Sequence, residues 1–323
     1  MKMLMMTFCK RVFPIILLLF CFMQAFGQQM PFNPVSYRIF TPFLLNPAIT
    51  GSKDYLSLDL IAGFQGNSNS QALSGNSRIT KKITGYRELG TSYSFTNFGV
   101  GFSGFNEYNE SDSTHNAGVT AGMSYHIPLN KKALSFLSVG ASFKGMYHFY
   151  EGNPDKEIPS KEFYSPNIDF GVYYYDPKLY AGLSATNLLN QPKDTSTLTY
   201  YQVPVSRQYN LIAGYKIVLS RDLNIVLEPA VIIHTDDSLS FTISENVEPI
   251  LKLYAGNFCI GTYFNDYSKI SFFFQYKYPR FYVGTFFALH KDSPYFKTPL
   301  TAEIAFGLNF SHNKSGYTKN GRW

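Results

Sequence analysis

Gly99, Gly101 and Gly104, in the stretch FGVGFSG, have the G-x-G-x-x-G spacing with which a strand-to-helix loop cradles a dinucleotide pyrophosphate. That chemistry needs a helix after the loop and an acid about 20 residues on to hold the ribose hydroxyls. The adjoining stretch FNEYNESDST is polar and turn-forming, and no Asp or Glu occurs from Ser113 to Tyr150. Read with period two, Phe98, Val100 and Phe102 share one face while Gly99, Gly101 and Ser103 share the other. The stretch is therefore expected to be a strand with an apolar face and a small, polar one. His115, His126, His148, His234, His290 and His312 show no ligand spacing. No G-x-S-x-G elbow exists, since Gly104 follows Ser103 one position too early. A lipid hydrolase would need a Ser and a His together near one rim, and His290 with Ser293 is the one such pair, beside Pro294 and in a turn. The acidic clusters Glu107 to Asp112 and Asp236-Asp237 fall in expected outer loops, where solvated charge explains them. No catalytic, cofactor-binding or metal residue emerges.

The elements that would carry any site are set by compartment and pattern. Residues 1–27 combine Lys2, Lys10 and Arg11 with the apolar run VFPIILLLFCFM and the small-x-small exit Ala25-Phe26-Gly27. This is the form of a secretory signal peptide. Its removal takes two of three cysteines and leaves Cys259, so no intramolecular disulfide or thiolate metal cluster can form. It also leaves 25 basic residues against 22 acids, a balance too mild to imply nucleic acid. Tyr and Phe number 25 and 30, and aromatic residues make up 17% of the chain. Beyond residue 27 no apolar run approaches the roughly 20 residues of a membrane helix. A membrane location would have to be reached with strands.

Alternating strands are what the chain offers. NAGVTAGMSYHI sets Ala117, Val119, Ala121, Met123, Tyr125 and Ile127 against Asn116, Gly118, Thr120, Gly122, Ser124 and His126. YNLIAGYKIVL groups Tyr209, Leu211, Ala213, Tyr215, Ile217 and Leu219, and LNIVLEPAVIIH sets Ile225, Leu227, Val231 and Ile233 against Glu228 and His234. TAEIAFGLNF sets Ile304, Phe306, Leu308 and Phe310 against Glu303, Gly307 and Asn309. A soluble sandwich alternates in the same way, so loop lengths decide. PLNKK, DPK, SRD, AGN and YPR are tight, whereas EGNPDKEIPSKEFYS, NQPKDTSTLTYYQVPVSR and KDSPYFKTP are long. The expectation is an all-β outer-membrane barrel of about fourteen antiparallel strands, with short periplasmic turns and longer extracellular loops. Lumen-facing Lys216, Glu228, Lys252 and Glu303 are expected to pair with one another or with water. The second strand fits either Gln71 to Ile83 or Glu88 to Phe95. The domains read as the signal peptide, a proline-rich segment 28–53 that is periplasmic or lumenal, the barrel 54–310, and a polar tail 311–323.

Pro31, Pro34, Pro42 and Pro47 keep PFNPVSYRIFTPFLLNPAITGS out of the sheet, because each removes a donor and fixes the backbone. Within it, Asn46-Pro47-Ala48 followed by Gly51 is suited to a fixed bend. That motif, together with SYHIPLN, SPNIDFGVYYYDPKLYAGLSATNLL and YNLIAGYKIVLSRDLNIVLEPAVIIH, resembles the PorP/SprF family of type IX secretion membrane proteins. The carried-over family residues are Asn46, Pro47, Ala48, Gly51, Pro166, Asn167 and Gly171.

The resemblance implies a non-enzymatic component of the Gram-negative outer membrane, without cofactor and linked to gliding motility. Its implied partners are the secretion machinery or a periplasmic scaffold, a secreted adhesin-like client, and membrane lipid, but no nucleic acid. A pore for small solutes is the alternative, since a barrel of this size has room for a channel unless it is filled. A lumen packed by the N-terminal segment separates the two. That segment is expected at the periplasmic end.

Overall fold

The computed structural model describes residues 37–53, 55–65, 68–83, 92–110, 113–130, 134–152, 159–189, 207–236, 242–266, 269–278, 280–290 and 301–311. Its strands are β1 Tyr55–Gln65, β2 Ser68–Ile83, β3 Ser92–Asn109, β4 Thr114–Asn130, β5 Ser135–Tyr150, β6 Lys161–Tyr175 and β7 Leu179–Thr186. After them come β8, in two pieces, Gln208–Tyr215 and Ile217–Ser220, then β9 Ile225–Asp236, β10 Val247–Ala255 and β11 Phe258–Asp266. The last three are β12 Lys269–Tyr278, β13 Phe281–His290 and β14 Thr301–Ser311. Each pairs antiparallel with the next, and β1 pairs with β14 from Tyr55–Ser311 to Gln65–Thr301. The sheet closes on itself, so no edge is left to pair with another chain.

β8 is interrupted because Pro229 of β9 falls opposite Tyr215, between the pairs Ala230–Gly214 and Leu227–Ile217. Proline has no N–H to give the ladder. Further on, the pairing jumps from Val218 to Ser220, a bulge that leaves Leu219 extra. Val218 and Leu219 are consequently both exposed, whereas strict alternation puts only Leu219 outward.

Period two sorts the wall as the sequence implies. Val119 and Met123 are each 65% exposed and face outward, while Ser124 and His126 on the same strand are buried. On β14, Ile304, Phe306 and Phe310 are exposed, and Glu303 and Asn309 are buried. An apolar exterior on a closed antiparallel sheet, with no helix among the described residues able to cross a membrane, is the construction of an outer-membrane barrel. The tight links 176–178, 221–224 and 256–257 share one rim with Tyr55 and Ser311, and the long ones share the opposite rim. At the long-loop rim β1 and β2 end only two residues apart in sequence, as do β11 and β12, so the alternation of loop lengths is not strict.

Three expectations are corrected. β2 begins at Ser68 and Ser92 already belongs to β3, so the Glu88 to Phe95 alternative overlaps the third strand. Glu107 is not in a loop: it lies in β3, is buried, and pairs with Ser70 and Asn116. Inward polar residues continue to the outer end of this strand, a feature that a local cluster of charges disguises. The expected boundary of the polar tail is one residue too early, since Ser311 is the last residue of β14 and pairs with Tyr55; residues 312–323 and the expected signal peptide lie outside the described residues.

Placing Met123 at the centre of the outward apolar series Ala117 to Leu129 yields a direct expectation. Met123→Arg should cost about 2 to 4 kcal/mol of folded barrel, and His115→Arg, at the outer end of the same face, under about 1 kcal/mol. Urea titration followed by heat-modifiable gel mobility checks this. Equal losses at the two positions would reject the assignment of the lipid face.

Candidate functional site: a lumen filled by the N-terminal segment

Residues 37–53 run inside the barrel. They form a short helix, Tyr37–Phe40, and two 3-10 turns, Pro42–Leu44 and Pro47–Ile49. Each 3-10 turn begins with proline, whose fixed φ suits a first helical position and whose missing N–H is not needed there. Before the second turn, Asn46 is extended (φ −140°, ψ 106°), as a residue preceding proline prefers. Its Oδ1 accepts from Ala48 N–H at 3.0 Å and caps the turn. Gly51 then takes φ +66°, a left-handed value that glycine adopts without strain.

The bend is received by one register line of the wall. Arg78, Gly99, Ser124, Gly140, Gly171 and Ser184 are paired in succession across β2 to β7. Against this line the segment's carbonyls find their donors in order. Ser184 Oγ donates to Leu45 O at 2.6 Å, and Ser138 Oγ, also inward on β5, to Ala48 O at 2.7 Å. Ser124 Oγ donates to Thr50 O at 2.5 Å, and Arg78 Nε to Gly51 O at 3.0 Å. Asn46 Nδ2 donates to Val172 O at 3.1 Å and Leu183 O at 3.2 Å. Glycines stand where the backbone comes closest: a Cβ at Gly140 would lie 2.5 Å from Ala48 N, and one at Gly171 2.0 Å from Asn46 Oδ1.

His126 extends the clasp. Its Nε2 lies 2.9 Å from Thr50 O and its Nδ1 2.9 Å from Tyr175 Oη, and Arg78 Nη2 donates to the same tyrosine oxygen. With Nε2–H toward the carbonyl, Nδ1 accepts from the Tyr175 hydroxyl. Ser124 Oγ also sits 2.9 Å from His126 Nε2, the spacing of a nucleophile and its base. Here both groups converge on one backbone carbonyl and both are buried, so the pair serves as a clamp.

The segment's start is anchored on the opposite wall. Arg38 bonds Glu248 near the outer end of β10, and its Nη1 donates to Tyr263 Oη at 2.6 Å. Tyr263 Oη in turn donates to Glu248 Oε2 at 2.6 Å. The Glu248 carboxylate and the hydroxyl of Tyr263 thus compensate the buried charge of Arg38. Phe40 stacks on Tyr282 with ring centroids 5.6 Å apart, and Tyr282 donates to Asp59 at 2.6 Å. Tyr37, Phe40, Phe43, Leu45, Ala48 and Ile49 join Ile232, Tyr263, Phe273 and Phe286 of the wall in a single buried cluster. The segment thus spans from the outer end of β10 to the periplasmic start of β1, and is not confined to the periplasmic end.

Five of the seven motif residues, Asn46, Pro47, Ala48, Gly51 and Gly171, come together here. The other two do not. Pro166 faces outward on β6, in a shallow groove with Leu73, Gly104 and Val119. Asn167 faces inward, but its Oδ1 accepts from the Ile168 and Leu189 N–H groups at 3.0 Å each, tying down the start of the β7–β8 connection. Sequence reasoning missed the receiving line itself, whose signal was the small, polar parity of each strand. Gly99 and Gly101 answer the dinucleotide spacing, because both pack on Thr50 while Gly104 faces outward. Glu228 and Lys252 pair at 3.0 Å.

The profile of the family described as type IX secretion system membrane protein PorP/SprF matches residues 34–308. A comparison with curated proteins finds no match. Among solved structures, the NanC porin is similar at 9% identity over 78% of this chain and 98% of its own, with a TM-score of 0.38. CdiB from Acinetobacter baumannii is similar at 10% identity over 80% and 60%, with a TM-score of 0.38. The β domain of the Bordetella autotransporter BrkA is similar at 9% identity over 80% and 98%, with a TM-score of 0.36. Likeness at that level adds nothing to a wall already defined by its own strand pairing. The profile covers all fourteen strands nearly to the end of β14, together with the whole lumenal segment. The chain belongs to the PorP/SprF family of type IX secretion system membrane proteins.

Proposed function

We propose that this barrel supports the secretion or surface anchoring of an adhesin-like client, in a pathway linked to gliding motility, by binding protein partners. It acts as a binding component, not as an enzyme or a solute pore. The observation that carries the reading is the filled lumen: residues 37–53 occupy the space a conducting channel needs, and wall groups bond their carbonyls. A barrel closed in this way offers its rims and loops to partners. Those partners are the secretion machinery or a periplasmic scaffold, and the client.

The test is a Gly51→Val, Pro47→Ala double variant. A Cβ at Gly51 would lie 2.6 Å from Gly99 Cα, so valine displaces the bend, and alanine releases the φ restraint of the turn. The expected result is a folded barrel in the outer membrane with its client lost from the cell surface. Normal client display by this variant, with ion conductance by the unaltered protein in planar bilayers, would favour the pore.

A further inference from the structure

Gly104 on β3 and Gly145 on β5 are glycines that the barrel itself does not call for. At the inward glycines Gly99, Gly140 and Gly171 an added Cβ would fall 2.4, 2.5 and 2.0 Å from atoms of the lumenal segment. At Gly104 it would lie 3.8 Å from Gly118 O, and at Gly145 3.8 Å from Val119 Cγ2, both ordinary contacts. Neither residue has a positive φ. What the missing side chains leave is space on the outside of the wall. Leu73, Gly104, Val119, Gly145 and Pro166 are paired in succession across β2 to β6 and form the floor of a groove of about 830 Å³, within the range of small-molecule sites.

The edge of this groove toward the long-loop rim is polar. Gln71, Asn106, Ala117, Tyr147 and Tyr164 form the next outward register line and also line the groove. Asn106 Nδ2 donates to Gln71 Oε1 at 3.1 Å, His115 Nε2 lies 2.5 Å from Asn106 Oδ1, and Tyr147 Oη donates to Glu162 Oε2 at 3.1 Å. The rings of Tyr147 and Tyr164 stand 5.0 Å apart, and Tyr164 is 70% exposed. On β1, by contrast, it is Phe64 that faces out at the same end.

An occupant has to match both parts, with an apolar chain for the floor and a polar head for the edge. On the outer wall of a membrane barrel that description fits a lipid whose head lies toward the long-loop side. Charge narrows the head. Among the described outward residues from this line to the outer ends of β2 to β6 there is no Lys or Arg, and Glu162 is present, so a phosphate would meet a carboxylate and no cation. Amides, imidazole and carboxylate between them donate and accept hydrogen bonds, as sugar hydroxyls require. The open face of Tyr164 offers its negative π-surface to the C–H groups of a sugar ring.

We propose that this groove binds a glycolipid of the outer leaflet, with an acyl chain over Gly104, Val119 and Gly145 and the sugar head against Asn106, His115, Glu162 and Tyr164. The site lies on the outer face of the wall and does not depend on the secretion reading.

The experiment places the purified full-length barrel in phosphatidylcholine nanodiscs holding equal amounts of digalactosyl diacylglycerol and phosphatidylglycerol with identical acyl chains. Native mass spectrometry then counts the lipids that stay bound when the barrel is released into detergent. The unaltered protein should retain the glycolipid in preference to phosphatidylglycerol, and Gly104→Leu with Gly145→Leu, which fills the floor, should lower that retention roughly tenfold. Asn106→Leu with Glu162→Leu should leave the floor open and abolish the preference between the two heads. Heat-modifiable mobility shows whether each variant is folded, and should the leucine pair fail to fold, Gly145→Val alone carries the test. Equal retention of the two lipids by the unaltered protein, unchanged glycolipid retention in a folded floor variant, or a preference that survives Asn106→Leu with Glu162→Leu would overturn the proposal. Retention of neither lipid, together with a dimer that the floor variants dissociate, would also overturn it and assign the groove to a second copy of this chain.

Discussion

Gly140→Val is expected to expel the lumenal segment and convert a closed barrel into a conducting one. The added Cβ would meet Ala48 N and Pro47 C, both at 2.5 Å, and backbone cannot step aside as the tip of a side chain can. Overpacking of this kind typically costs about 1 to 3 kcal/mol. The hydrogen bonds from Ser138 to Ala48 O and from Asn46 to Val172 O and Leu183 O would go with it, each worth about 0.5 to 1.5 kcal/mol net. The wall itself should survive, because its ladders do not depend on the segment. Gly145→Val is the control: it lies on the same strand but faces outward, where a Cβ would meet Val119 Cγ2 at an ordinary 3.8 Å. Single-channel recording should show conductance for the first variant and none for the control. A folded, non-conducting Gly140→Val barrel would mean that something other than this segment closes the lumen.

Arg38→Met should strongly destabilise the start of the lumenal segment. Glu248 is 1% exposed, and without Arg38 it keeps a hydroxyl donor, Tyr263, but no cation from the segment. Breaking a buried pair from one side costs about 3 to 5 kcal/mol, whereas replacing both partners with apolar groups of similar size is often close to neutral. Arg38→Met combined with Glu248→Leu should therefore recover most of the stability that Arg38→Met alone loses. Urea midpoints for the three proteins give the answer, and a double variant no better than the single one would show that the pair is not what anchors this end.

How much of this was legible depended on whether the information was local. Alternation within one strand is local, and it placed Val119, Met123 and Ile304 outside and Ser124, His126 and Glu303 inside. It blurred in β2, where Asn69 and Gln71 face outward at the outer end and remove the apolar signal that would have located the strand. The prolines made the segment recognisable as non-strand, but not its destination. That is set by registers between strands, which bring Gly99, Ser124, Gly140, Gly171 and Ser184 onto one line from five separate stretches, and no periodicity within a stretch encodes register with another. The neighbours Pro166 and Asn167 illustrate the converse: period two sends them to opposite faces, so a family motif spanning both could never have formed one lumenal surface.

Asn309 has the parity of a residue that would meet water in an open channel, yet it is 5% exposed, because the interior is packed. That packing has a consequence for how the molecule comes to exist. The lumenal segment precedes β1, and the seam that encloses it joins β1 to β14, the first strand to the last. We expect the strands to wind around the segment as around a mandrel, with the seam zipped last, because Arg38, Phe40 and Phe43 are packed against the wall on the far side of the lumen from the periplasmic tether. Pairing the first strand with the last is the most non-local contact in the fold, which makes that closure a slow step. Changes along the receiving line should then alter the yield of assembled protein well before they alter the persistence of barrels already made.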